Sequence, residues 1–99
     1  MNECASAVRE HFGILPLLFQ AERLFEHGLY KEALGIAKRC LLLAPTNAEL
    51  LNFAGVCALK IGDPVGAEDF LLKAAGIERA YAAPQLNLGL VCEKQNRME

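Results

Sequence analysis

Few side chains in this sequence could do chemistry: one Ser, one Thr, two His, two Asp and four Cys, with Glu as the commoner acid. Cys4, Cys40, Cys57 and Cys92 are widely spaced, form no C-x-x-C pair and have no His at ligand spacing. They read as free thiols in a reducing, cytoplasmic compartment, packed as small hydrophobes rather than joined in a disulfide or on a metal. His11 and His27 fall at helix ends, and nothing near Ser6 in sequence would activate its hydroxyl. Glu10, Glu22, Glu26 and Glu32 have the types for a general acid–base pair, yet on helices they read as solvated charges. There is no phosphate-cradling glycine loop, no dinucleotide fingerprint and no H-E-x-x-H. The chain therefore reads as a non-enzyme with no cofactor and no metal.

The totals narrow the partners. At 99 residues there is room for one domain, and the 54% apolar content is rich in Leu and Ala, with no Trp and 7% aromatics. That mixture favours helices. A net charge of -2 with scattered Lys and Arg gives no basic stripe, which argues against nucleic acid. The apolar run Ile14–Phe19 is far too short to span a bilayer, so neither a signal peptide nor membrane insertion is expected.

The elements that must position any site come from a repeat. A shift of 34 residues carries Gly28 to Gly62, Tyr30 to Pro64, Ala33 to Ala67 and Leu17 to Leu51, and carries Ala21 to Gly55 and on to Gly89. Within each copy the apolar residues recur at helical spacing, as in Leu17, Ala21, Leu24, Phe25 and then Leu34, Ala37, Cys40, Leu41. Each period thus predicts two antiparallel helices joined by a tight turn. Gly28 and Gly62 suit left-handed caps, Asp63 caps the following helix and Pro64 opens it. Between copies, Thr46 and Glu49 stand at capping-box spacing.

A helix-turn-helix period of this length and pattern resembles the tetratricopeptide repeat (TPR) family, over Ile14 to Asn96. The places of the family's motif hold Leu17, Gln20-Ala21, Leu24, Gly28, Ala33, Ala37, Cys40 and Pro45 in the first copy. In the second they hold Leu51, Ala54-Gly55, Ala58, Gly62, Ala67, Leu71, Ala74 and, in place of Pro, Arg79. A third copy begins with Leu88-Gly89 and Cys92, and Asn96 stands where its turn Gly would be. The resemblance implies an all-α fold, a right-handed helical-repeat solenoid of five or six helices. The expected organisation is an N-terminal capping or frayed segment at 1–13, with a weak helix over about 3–12. Repeats follow at 14–47 and 48–81, and a half repeat at 82–99 carries a final helix over about 83–95.

The resemblance also places function on a concave wall formed by the first helix of each copy. Its groove-facing places give Leu15, Leu18, Glu22, Phe25 and Glu26, then Glu49, Asn52, Val56, Leu59 and Lys60, then Ala83, Leu86, Leu90, Glu93 and Lys94. Members that grip a carboxylate tail use Lys, Asn and Arg on this wall. The matching places here hold Leu18, Glu22, Phe53, Ala83 and Asn87, which argues against that mode. The wall suits an apolar helix or extended peptide of another protein, with Phe25, Val56 and Leu59 as anchors, Leu18 and Leu90 beside them and Asn52 holding main chain. Lys60 and Lys94 would steer an acidic ligand. The function expected is an adaptor or small chaperone. The alternatives are a self-assembly unit stacking through its last helix into a homo-oligomer, and a piece of a larger multi-domain protein. Against this stands the plainer alternative that an apolar stripe at helical spacing is more often core, with the N-terminal segment or another subunit lying in the groove.

Overall fold

The structure, a computed structural model, describes residues 16–78 and 83–98, with side chains placed through Glu93. The expected N-terminal helix, Leu15, Arg79 and the side chain of Lys94 lie outside the described residues. The described chain is all-helical. Helix α1 covers 16–26, and it is followed by α2 (Tyr30–Leu43), α3 (Ala48–Lys60), α4 (Pro64–Ile77) and α5 (Ala83–Met98). Because α5 continues to Met98, Asn96 lies within a helix rather than at a turn.

The period seen in the sequence reappears in the helix boundaries and in how the helices end. At the end of α1 the Gly28 N–H donates to the Phe25 carbonyl at 3.0 Å and the Leu29 N–H to the Leu24 carbonyl at 2.9 Å. After α3 the Gly62 N–H donates to Leu59 at 3.1 Å and the Asp63 N–H to Ala58 at 2.9 Å. Both ends are Schellman motifs, which place the glycine in the left-handed region, here at φ 78° and 84°. A residue with a Cβ would be strained there.

The starts of α3 and α4 carry side-chain caps, whereas α2 begins after Leu29 without one. The Asp63 carboxylate accepts from the Gly66 N–H at 3.0 Å, and Pro64 occupies the first turn, where its missing N–H costs nothing. At α3 the cap is Asn47, whose Oδ1 accepts from the Leu50 N–H at 3.0 Å. This corrects the capping box expected at Thr46 and Glu49. Thr46 stands one residue too early, in the turn, and Asn47 takes the extended backbone that a cap requires.

Helix α3 is the centre of the packing. It lies against α2, α4 and α5, while α4 also packs on α5. The core is assembled mainly from small residues: Ala33, Ala37 and Cys40 of α2, Ala54, Cys57 and Ala58 of α3, and Ala67 and Ala74 of α4 are fully buried. Leu71 and Val91 supply the larger side chains. Small residues let the helices approach closely, so a modest chain excludes water with little aromatic bulk. No polar or charged side chain is buried among the described residues.

Candidate functional site

Along α1, Leu18, Glu22 and Phe25 are spaced by one helical turn and share a face. The start of α3, fixed by the Asn47 cap, presents Glu49, Asn52, Phe53 and Val56. These two faces border a cleft of about 370 Å³, which Asn47 and Leu50 complete. Its floor is aromatic. The Phe25 ring meets Tyr30 edge-on, with centroids 5.0 Å apart at 69°, and lies 5.6 Å from Phe53. Phe25 and Phe53 line the cleft, and Tyr30 packs on Phe25 from outside it, an edge-on arrangement that aromatic rings favour.

Several of the residues named from the sequence meet here: Leu18, Glu22, Phe25, Asn52 and Val56 all line this cleft. Asn52 also faces α5, where its Oδ1 accepts from Asn87 Nδ2 at 2.9 Å. That bond ties α3 to α5 and fixes which way the Asn52 carboxamide points. Phe53 entered the sequence reading only as a place in the carboxylate-gripping pattern. Its apolar character at one turn from Leu50 was the signal for a wall residue.

Other named residues go elsewhere. Leu59 is 6% exposed and belongs to the core, so it is no anchor. The position matching the half-buried Phe25 is enclosed on α3 because neighbours cover that helix on several sides. Leu86 and Leu90 stand out from α5, 71% and 50% exposed, and do not line the cleft. Lys60 is exposed, with its Nζ 5.9 Å above the Tyr30 ring, where the ring's negative face attracts it. It therefore does not line the cleft, whose charged residues are Glu22 and Glu49. Lys94, the other cation expected to steer an acidic ligand, has its side chain outside the described residues.

The thiols divide. Cys40 and Cys57 are free and fully buried. Desolvation raises both above the ordinary thiol value, against a smaller opposing pull from Arg39 on Cys40; Cys57 reaches about 11. Protonated and enclosed, they act as small apolar side chains. Cys92 departs from that pattern: it is exposed on α5. Among the described residues no three His, Cys, Asp or Glu side chains are grouped to hold a metal. No helix among them is long and apolar enough to cross a membrane. No family model matches the chain, and no curated protein matches it.

Proposed function

We infer that this chain is a non-catalytic protein-interaction module of tetratricopeptide-repeat type, working in the cytoplasm as an adaptor or small chaperone. Its cleft between α1 and α3 holds an apolar helix or extended peptide of another protein. One observation carries the reading: a cleft of about 370 Å³ with an apolar lining of Leu18, Phe25, Phe53 and Val56, in which the two Phe rings pack 5.6 Å apart. Two buried anchor side chains supply roughly 3–6 kcal/mol before ordering costs, enough for a reversible docking site. Asn52, with its oxygen engaged by Asn87, has its amide donor left for a ligand carbonyl. The solenoid reading draws support from the glycine turns at Gly28 and Gly62, which recur at the sequence period.

A displayed library of random peptides, selected on the immobilised chain, tests this. Enriched peptides should carry apolar anchors, shift the amide resonances of Leu18, Phe25 and Val56, and lose affinity on Leu18→Asn/Val56→Asn. Peptides that map instead to α5, or a selection without enrichment, would refute it.

A second reading, self-assembly through α5, has its own observation: Leu86, Leu90 and Cys92 stand exposed along that helix. It expects a mass that rises with concentration and falls back on Leu86→Glu/Leu90→Glu.

A further inference from the structure

The cleft carries two carboxylates and no cation. Glu22 projects from the middle of α1, with Leu18 one turn before it and Phe25 one turn after. Glu49 stands in the first turn of α3, on the other side of the apolar floor. Both are exposed, and neither makes an ion pair among the described residues. Asp69, by contrast, is paired with Lys73 at 3.2 Å. Glu49 is accounted for by its helix, since a negative charge is favourable at a helix N-terminus. Glu22 is a solvated helix charge like Glu26 and Glu32, set apart from them by lining the cleft. Lys60, a cation expected on the same wall, lies over the Tyr30 ring instead of lining the cleft.

We propose that the occupant of this cleft is a basic amphipathic segment of another protein, with apolar anchors flanked by Lys or Arg that reach Glu22 and Glu49. The proposal rests on the reading of the cleft as a docking site and adds the sign of its partner. An acidic segment would bring like charges together at the cleft, whereas a basic one is attracted on approach by a carboxylate on each of the two helices that border it. The net charge of -2 acts in the same direction at long range. Side chains of Lys and Arg suit the geometry, because their alkyl stems lie along apolar surface while the charged ends reach the rim.

Three fluorescein-labelled amphipathic peptides, sharing one set of Leu and Phe anchors and carrying Lys, Gln or Glu at the flanking positions, test the proposal by anisotropy titration. They are titrated against the parent chain, Glu22→Gln/Glu49→Gln and Leu18→Asn/Val56→Asn, each checked for helicity. The Lys peptide should bind the parent roughly tenfold tighter than the Glu peptide at low salt. The gap should close as salt rises and shrink to about twofold in the double Gln variant. Three equal affinities, all weakened by Leu18→Asn/Val56→Asn, would overturn the charge proposal and leave the docking site standing. A tighter Glu peptide would also overturn it. Failure of every peptide to bind, or binding indifferent to Leu18→Asn/Val56→Asn, would sink both the proposal and the reading beneath it.

Discussion

Gly55 of α3 lies so close to Leu71 of α4 that a Cβ on the glycine would fall 2.6 Å from Leu71 Cγ and 2.7 Å from its Cδ2. One period earlier the same two places hold Ala21 and Ala37, both fully buried. Volume is thus redistributed across equivalent places: a methyl absent on one helix accompanies a larger side chain on the next. Gly89, one period later, has nothing within 4 Å of where its Cβ would lie, because no described helix packs there.

Gly55→Ala should therefore destabilise the fold by about 1–3 kcal/mol through overpacking. Leu71→Ala alone should cost about 2–5 kcal/mol through the cavity it leaves. The double variant reproduces the Ala21 and Ala37 pair and should lose clearly less than the sum of the two. Urea unfolding of the four proteins gives the coupling energy, and strict additivity would contradict the fit described.

The two turn glycines and Gly35, an open position inside α2, should respond with opposite signs. Gly28→Ala and Gly62→Ala force a Cβ into the left-handed region and should each cost about 1–2 kcal/mol. Gly35 lies within α2 with open space around it, so Gly35→Ala should stabilise by about 0.5–1 kcal/mol. Thermal unfolding would order the variants, and a stabilising Gly62→Ala would contradict the Schellman assignment.

How much of this was legible in the sequence depended on whether a feature is local. The turn glycines, the Asp63 cap and Pro64 could be read directly, because their backbone demands are met within a few residues. The α3 cap was misplaced by one residue, since Thr46, Asn47 and Glu49 offer two competing caps and only the chain's direction through the turn chooses between them. Leu59 was read as wall because the repeat makes it equivalent to Phe25. Burial does not follow the sequence period in so short a helical chain, where a central helix has more neighbours than a terminal one. The pairing of Lys60 with Tyr30 joins residues far apart in sequence and left no local signal.

The choice of cap gives its own test. Asn47→Ala should cost about 1 kcal/mol by leaving the Leu50 N–H without its partner, while Thr46→Ala should be nearly silent. Equal losses in chemical unfolding would restore the capping box.

Placement on the wall and in the core can be separated by charge. Val56→Glu alters a half-exposed side chain of the cleft and should leave the chain folded with a loss of about 1 kcal/mol. Leu59→Glu puts an unpaired carboxylate into the core and should cost more than about 3 kcal/mol, enough to unfold a helical chain this small. Circular dichroism at matched concentration distinguishes them, and a folded, cooperative Leu59→Glu would return Leu59 to the wall.

The buried thiol of Cys57 makes stability depend on pH in a defined direction. Burial raises its value from 9.0 to about 11 in the folded chain, so the unfolded chain gives up its proton first as pH rises. The stability owed to the neutral thiol is fully present below about pH 9 and is lost as pH climbs through that interval, by roughly 2–3 kcal/mol in all. Urea midpoints between pH 8 and pH 11 should fall more steeply for the parent than for Cys57→Ala, which lacks the titrating group and isolates it from the Lys and Tyr that ionise over the same range. Iodoacetamide gives the kinetic counterpart: Cys92 should alkylate in the native state, whereas Cys57 should react only at the rate of opening. Parallel pH slopes together with rapid native alkylation of Cys57 would mean that the α3 core admits water, and the close packing of Ala54, Cys57 and Ala58 would have to be abandoned.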